Sequence, residues 1–159
     1  MNALEARYAQ GPLFPFAPTA IVEIAAPVEV VWGVLTDFPR YGEWNRFTPS
    51  VECSGEPGTP VVMQVCFPGA KPMRQVEILN VFEAPRRLAW GMHMVAAPIL
   101  VANRYQLLEP LGAARTRYTT IDYLSGLLAP VVKHLYAESM RAGFTLAAEG
   151  LKTRSESLA

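Results

Sequence analysis

The C-terminal part of the chain is one long amphipathic segment, from about Pro130 to Arg154. Apolar residues recur along it at helical spacing and form a single stripe: Val132, Tyr136, Met140, Phe144, Ala147 and Leu151. Polar residues occupy the opposite side: Glu138, Arg141, Thr145, Glu149 and Lys152. Such a helix is stable when its apolar stripe lies on another apolar surface. The rest of the chain must therefore supply that surface.

The middle of the chain supplies short alternating segments that are typical of β-strands. They span roughly residues 50–54, 61–67, 74–83, 87–94, 100–109 and 115–124. Turn-forming sequences such as GEPGTP (55–60) and EPLGAAR (109–115) separate them. Connections this short favour antiparallel hairpins. With TAIVEI (19–24) as a first strand, we expect a curved antiparallel sheet of about seven strands wrapped around the C-terminal helix.

Two short helices are predicted after the first strand. Pro27 suits the first position of a helix, because the N–H that proline lacks would be unpaired there. Apolar residues then recur at helical spacing: Val28, Val31, Trp32 and Leu35. Pro39 discourages helical structure at Phe38, so a second short helix is expected over about residues 39–44.

Composition bounds the class of protein. Residues 1–18 are rich in Pro, Gly and Ala and are predicted to form an N-terminal arm before a single domain over residues 19–156. The 14 basic and 14 acidic residues balance, which gives no electrostatic reason to expect nucleic acid or an anionic membrane surface as a partner. Without a signal-peptide pattern or an apolar run of about 20 residues, we expect a soluble cytoplasmic protein with no stable membrane insertion. A homodimer stays compatible with the sequence.

Metal and cofactor chemistry have little support. Cys53 and Cys66 lie on predicted neighbouring strands, so a disulfide is geometrically allowed, but reduced thiols are favoured because nothing points to secretion. The two histidines, His93 and His134, fall on different predicted elements. No metal site, phosphate-binding loop or cofactor is therefore predicted.

The predicted order of elements is that of the α+β helix-grip fold. IAAPVEVVWGVLTDFPRYGEWN (24–45) resembles the opening signature of the START-related, polyketide cyclase/dehydrase-like (SRPBCC) proteins. PRRLAW (85–90), LLEPLGAARTRYTTIDYLSGLLAP (107–130) and AAEGLKTRSE (147–156) are similar to later parts of that pattern. The resemblance covers about residues 19–156. It implies a cavity between sheet and helix for a hydrophobic or amphipathic small molecule, and it does not specify a reaction.

The residues that face this cavity follow from the alternation along three strands. In 87–94 the bulky face carries Leu88, Trp90, Met92 and Met94. In 100–109 the family pattern places Leu100, Ala102, Arg104, Gln106 and Leu108 inward, although Val101, Tyr105 and Leu107 would satisfy the opposite register. In 115–124 the inward set is Thr116, Tyr118, Thr120, Asp122 and Leu124. On the C-terminal helix, Gly143 and Ala147 leave space that a larger residue would fill.

Twelve residues are predicted to bind the ligand: Trp44, Trp90, Met92, Arg104, Gln106, Tyr118, Thr120, Asp122, Tyr136, Met140, Gly143 and Ala147. Trp44 is expected at the cavity entrance with Tyr41 and Phe47, and Trp32 is expected to be buried against the sheet. An inward Arg104 needs a counter-charge, which Asp122 would supply, and the pairing would keep Asp122 ionised.

Three functions fit these features. The first is binding of a mostly apolar small molecule, such as a lipid, polyketide or isoprenoid-like compound, that carries one polar group. The alternative is a polyketide cyclase- or dehydratase-like enzyme, in which Tyr118, Asp122 and Arg104 form the convergent set. The third is a protein-interaction role, with sheet and helix packed tightly and no cavity between them.

Overall fold

The computed structural model describes residues 1–96 and 98–159. Its strands are β1 (Thr19–Ile24), β2 (Ser50–Glu52), β3 (Pro60–Val65), β4 (Met73–Glu83), β5 (Arg87–Met94), β6 (Leu100–Gly112) and β7 (Arg115–Ser125). Its helices are α1 (Ala3–Ala6), α2 (Val28–Thr36), a short 3-10 helix (Phe38–Glu43) and α3 (Ala129–Glu156). Apart from α1, each of these elements lies close to its predicted position.

The seven strands form one antiparallel sheet in the order β1-β7-β6-β5-β4-β3-β2. All neighbours except β1 and β7 are consecutive in the chain, as short connections require. The first strand lies beside the last, with Thr19 opposite Ile121 and Ile24 opposite Thr116. The predicted helix-grip fold is therefore confirmed.

Helix α3 lies against the concave face of the sheet through its predicted apolar stripe. Met140, Phe144, Ala147 and Leu151 are buried, whereas Val132 is half-buried and Tyr136 is 44% exposed. Burial is therefore complete along the C-terminal part of the helix and incomplete near its start. The incompletely covered part is where an interior space remains.

The 3-10 helix closes the other end of the interior. Tyr41 and Trp44 are buried with ring centres 4.5 Å apart, and the Trp44 carbonyl lies against Gly150 of α3. The prediction that these two aromatic residues lie at a cavity entrance is therefore wrong. Trp32 is half-buried and packs edge-on against Phe82 at 5.3 Å, so its predicted full burial is also wrong.

The N-terminal segment, including α1, packs on the convex face of the sheet. The buried Glu5 carboxylate accepts hydrogen bonds of 2.6 Å from the Tyr105 hydroxyl and from Arg87. Tyr8 stacks on His93 with ring centres 4.9 Å apart. These contacts keep His93 on the side of the sheet away from the interior.

Two helical glycines test the packing of the closed end. A Cβ atom on Gly150 would lie 2.0 Å from the Trp44 carbonyl oxygen, whereas a Cβ on Gly33 of α2 would meet nothing within 4 Å. Alanine is the better helix former, so we expect Gly33→Ala to raise the free energy of unfolding by about 1 kcal/mol. Gly150→Ala should lower it by about 1–3 kcal/mol because the backbone must shift. Urea denaturation of both variants measures the difference, and a stabilised Gly150→Ala would contradict this packing.

Candidate ligand cavity

A cavity of about 370 Å³ lies between the concave face of the sheet and the N-terminal half of α3. Strands β3 to β7 and helix α3 form its walls. Most of the lining is apolar: Phe47, Met63, Val65, Phe67, Met73, Trp90, Met92, Met94, Leu100, Ala102, Leu124, Val132, Tyr136, Met140 and Phe144. The hypothesis of a solid interior, packed with no cavity, is therefore wrong.

One row of cross-strand partners brings polar groups to this apolar wall. Trp90 on β5 lies opposite Arg104 on β6, and Arg104 lies opposite Asp122 on β7. Directly opposed residues of antiparallel strands point to the same face, so all three side chains face the cavity. Glu77 on β4 also lines it.

The Arg104 side chain is only 6% exposed and is held from two sides. Its Nε donates a 3.0 Å hydrogen bond to Oγ1 of Thr120, and its guanidinium carbon lies 4.4 Å from the centre of the Phe144 ring. Its Nη2 is buried and has no hydrogen-bond partner in the described part of the chain, and the same is true of Oδ1 of Asp122. The expected Arg104–Asp122 ion pair is therefore not formed, because Thr120 and Phe144 hold the guanidinium instead.

Burial dominates the acid–base behaviour of the two carboxyl groups. It raises the pKa of Asp122 to about 6, although the positive charge of Arg104 acts in the opposite direction. Asp122 is therefore still mostly ionised at neutral pH, as predicted, but its pKa lies above the usual aspartate value because burial outweighs the effect of Arg104. Burial raises the pKa of Glu77 further, to about 8, with the Asp122 charge adding to the effect and with Arg104 and the 2.6 Å hydrogen bond from Gln75 opposing it.

We call Glu77, Trp90, Arg104 and Asp122 the polar cluster, and at neutral pH its positive and negative charges balance. Glu77 is mostly protonated, Asp122 is mostly ionised and Arg104 carries a positive charge. The unpartnered atoms are two donors, Nη2 of Arg104 and Nε1 of Trp90, and one acceptor, Oδ1 of Asp122. Buried polar atoms without a partner are costly, so the cluster is suited to a polar group that enters from the cavity.

The structure places six of the twelve predicted site residues on the cavity wall: Trp90, Met92, Arg104, Asp122, Tyr136 and Met140. The other six do not line it: Trp44, Gln106, Tyr118, Thr120, Gly143 and Ala147. Thr120 contributes indirectly, because its hydroxyl oxygen accepts a hydrogen bond from Arg104. Gln106 and Tyr118 do point inward, but Tyr41 covers them: Oε1 of Gln106 accepts hydrogen bonds from Tyr118 at 2.9 Å and from Tyr41 at 3.4 Å.

The space expected at Gly143 is already occupied. A Cβ on this glycine would lie 2.3 Å from the Phe47 ring, and Ala147 is almost completely buried. A leucine at Gly143 would therefore collide with Phe47 and would not fill a cavity. The prediction of free space at Gly143 and Ala147 is wrong. Phe47 lines the cavity, but it is buried against α3, so its predicted position at the entrance is wrong.

Glu77 and Gln75 were missed by the sequence analysis. Alternation along MRQVEIL places both on one face with Met73 and Leu79, and Leu79 is fully buried. Their position on the same strand face as Met73 and Leu79 is the sequence signal that could have identified Gln75 and Glu77 as inward-facing. A carboxylate is ordinarily assigned to solvent, because a buried one must be paired or lose its charge.

Within residues 1–96 and 98–159, no group of three or more His, Cys, Asp or Glu side chains is arranged to hold a metal ion. Both cysteines in this part of the structure have free thiols. None of the described helices combines the length and apolar character needed to cross a membrane.

Comparison with known proteins agrees with this architecture. The Zhui aromatase/cyclase from Streptomyces sp. R1128 superposes with a TM-score of 0.72 at 18% identity, covering 89% of this chain and 94% of that one. A START superfamily protein from Mycobacterium smegmatis gives 0.68 at 18% identity, with coverages of 90% and 99%. Norcoclaurine synthase from Thalictrum flavum gives 0.68 at 14% identity, with coverages of 94% and 99%. At these identities the likeness shows the fold alone.

A search of curated proteins finds no match. The sequence model of one family, described as "Polyketide cyclase / dehydrase and lipid transport", matches residues 18–156. That match takes in the whole sheet, helix α3 and every residue of the cavity described above. The protein therefore belongs to the polyketide cyclase/dehydrase and lipid transport family.

Proposed function

We propose that the cavity binds an amphipathic small molecule with an apolar body and one neutral polar end group. The observation that carries the proposal is the row of buried, unpartnered polar atoms on Trp90, Arg104 and Asp122, three residues that line a mostly apolar cavity. In a core that binds no ligand, buried polar atoms without a hydrogen-bond partner would only cost stability. A ligand whose end group both accepts and donates hydrogen bonds would satisfy them.

The size and lining of the cavity suit a compact ligand. A volume of about 370 Å³ lies near the lower end of the range for small-molecule sites, roughly 300–1,000 Å³. Five methionines line the walls, at positions 63, 73, 92, 94 and 140. Methionine adapts its shape to its neighbours, so the apolar body of the ligand is less restricted than its polar end.

The charge balance favours a neutral end group over a carboxylate. At neutral pH the Arg104 charge is already offset by ionised Asp122, while Glu77 stays protonated. A bound carboxylate at this polar row would add a second negative charge beside Arg104, the buried cation of the cavity lining, in a poorly hydrated site. A hydroxyl or phenol adds no charge and uses the same donors and acceptor, whereas a ketone uses the donors alone.

The family supports this type of ligand. Its description joins polyketide cyclase and dehydrase activity with lipid transport, and both involve largely apolar molecules that carry oxygen groups. The similar Streptomyces structure is described as an aromatase/cyclase. For this chain we propose the same class of ligand and no specific compound.

One observation favours a second function, acid–base catalysis on such a ligand. Two carboxyl groups in one cavity have pKa values pushed apart, to about 8 for Glu77 and about 6 for Asp122. At neutral pH the first is a proton donor and the second a proton acceptor, which is the arrangement needed for aldol ring closure with loss of water. Arg104 would orient the carbonyl oxygen.

The binding proposal predicts a selective effect of removing the guanidinium. Arg104→Met keeps an unbranched chain on Phe144 but removes the donors. We expect affinity for naphthol to fall about tenfold or more, as for loss of a charge-assisted hydrogen bond, while affinity for naphthalene is retained. Fluorescence titration at pH 7 measures both.

Two comparisons distinguish loss of polar recognition from a general loss of packing in the cavity. Trp90→Phe removes the indole N–H together with one ring of the side chain and should weaken naphthol binding by a smaller factor, with naphthalene binding reporting the effect of the smaller ring. Wild-type protein should bind naphthol more tightly than naphthoate at pH 7, because of the charge balance. Equal loss of naphthol and naphthalene binding in Arg104→Met would show that the residue acts through packing and not through recognition of the polar end.

The raised pKa of Glu77 predicts a pH-dependent stability. The folded state holds a proton that the unfolded chain releases, so this contribution is present at low pH and is lost as pH rises through about 8. Above the Asp122 pKa of about 6, Glu77 should dominate the slope. The free energy of unfolding should then fall by up to about 1.4 kcal/mol per pH unit. Glu77→Gln should flatten this slope between pH 6 and 8, whereas the exposed Glu52→Gln should leave it unchanged.

The catalytic alternative has its own measurement. A linear aryl triketone, which can close to a ring with loss of water, would be incubated with wild-type protein and followed by mass spectrometry. Enzymatic turnover predicts a bell-shaped rate profile between about pH 6 and 8. Glu77→Gln should then reduce kcat by a larger factor than it raises KM. Binding of the triketone without any rate above the buffer reaction would leave ligand binding as the function.

A further inference from the structure

Exposed apolar side chains surround the open end of the cavity. Val95, in the connection between β5 and β6, is 92% exposed, and several other large apolar residues near it or near the start of α3 are also exposed. We call six of these residues the rim patch: Phe14, Met94, Val95, Leu127, Val131 and Leu135. Large exposed apolar patches on a protein surface mark interaction sites.

Hydrogen bonds join the segments of the rim patch into one surface. The N–H of Leu127 donates to the Pro98 carbonyl at 2.9 Å, and the N–H of Gly126 donates to the Leu13 carbonyl at 2.8 Å. The loop after β5 and the turn at residues 13–14 are therefore both attached to the start of α3. Met94 also lines the cavity, so the patch is continuous with the cavity wall.

Two members of the patch have an unfavourable backbone conformation. Phe14 and Val95 have φ angles of 48° and 67°, and they are the non-glycine residues of positive φ in the described part of the chain. This region is strongly disfavoured for bulky and β-branched residues. Both side chains point into solvent, so local strain coincides with the exposure of apolar groups at this one end.

Charge near the rim is mainly positive. The segments 10–18, 66–75, 94–100 and 126–137 contain Lys71, Arg74 and Lys133 and no aspartate or glutamate, and the next residue of α3 is the exposed Glu138. All three basic side chains are exposed, and Arg74 lines the cavity. The overall balance of charge therefore conceals a positive local field at the cavity mouth.

We propose that the rim patch docks reversibly on the surface of an anionic lipid bilayer, which places the cavity mouth against the lipid. Apolar side chains would enter the boundary of headgroups and acyl chains, and the three basic residues would contact anionic headgroups. Exchange of an apolar ligand between bilayer and cavity rests on the proposed function, but docking itself does not require a ligand.

The charge pattern favours a bilayer over a second copy of the chain. A two-fold contact pairs a patch with itself, so it would bring Lys71, Arg74 and Lys133 of one copy close to the same residues of the other. Like charges brought together oppose association. An anionic lipid surface is complementary to both the apolar and the basic parts of the patch.

Vesicle flotation tests the proposal with the whole protein. Wild-type protein should float with phosphatidylcholine vesicles in which about a third of the lipid is phosphatidylglycerol, and it should bind pure phosphatidylcholine and high-salt samples much more weakly. Replacing Lys71, Arg74 and Lys133 together by Gln should weaken binding about a hundredfold, from roughly fivefold per charge. Val95→Asp should abolish flotation at the same lipid concentration.

Matched controls change similar residues away from the rim. Ile21→Asp alters an exposed apolar residue of β1, and Arg86→Gln alters an exposed cation in the turn between β4 and β5, at the opposite end of β5. Both should float like wild type, and circular dichroism should show all variants folded. No flotation of folded wild-type protein, or equal loss in Ile21→Asp and Val95→Asp, would overturn the proposal. So would a dimer that Leu135→Asp dissociates in the absence of vesicle binding.

The two proposals fail separately. Flotation is measured without a ligand, so loss of naphthol binding in Arg104→Met would leave the docking result unchanged. Conversely, naphthol titration is carried out without lipid. Normal naphthol affinity in Val95→Asp would show that the cavity functions even when the rim has lost its affinity for lipid.

Discussion

The interior of this protein depends on how the buried guanidinium of Arg104 is held. Its face lies on the Phe144 ring of α3, and Phe144 in turn packs edge-on against Phe47 at 5.8 Å. Phe47 fills the notch that Gly143 leaves in the helix. One cation therefore connects the centre of the sheet to the helix through two aromatic rings. Because Thr120 uses only Nε, the Nη2 group stays buried without a partner in the described part of the chain.

The same cation explains why two carboxyl groups of one cavity differ. Asp122 is the cross-strand neighbour of Arg104, so attraction limits the rise that burial imposes on its pKa. Glu77 feels the same cation but also the charge of Asp122, and its pKa rises further. Burial of both carboxyl groups, opposed by one cation on β6, thus leaves a proton donor and a proton acceptor in the same space. Recognition of a neutral polar group and acid–base chemistry use this one arrangement, and they differ in whether the ligand reacts.

Most of the fold could be predicted from the sequence because it depends on periodicity. Alternation in β6 and β7, with the family pattern, set which side chains turn inward, and the helical stripe set the face of α3. Periodicity identifies which side chains of a strand point inward. It does not identify which of these line the cavity and which are covered by other side chains. Gln106 and Tyr118 do point inward, yet Tyr41 covers them. Phe47 at Gly143 and the protonated Glu77 depend on contacts between distant segments, which no local pattern contains.

The position of the cavity mouth follows from where α3 is sealed. Trp44 against Gly150 and Phe47 against Gly143 bring the chain after α2 into close contact with the middle and C-terminal parts of the helix. Covering is incomplete at the start of α3: the Phe67 ring lies 5.6 Å from the Tyr136 ring, yet Val131, Leu135 and Tyr136 remain exposed. The sealing that buries one half of the apolar stripe therefore leaves the other half, and the loops bonded to it, in contact with solvent. The open cavity and the exposed apolar residues of α3 coincide at one end because of this asymmetry in the packing of α3, and the connection from β3 to β4, with the start of β4, adds Lys71 and Arg74 there.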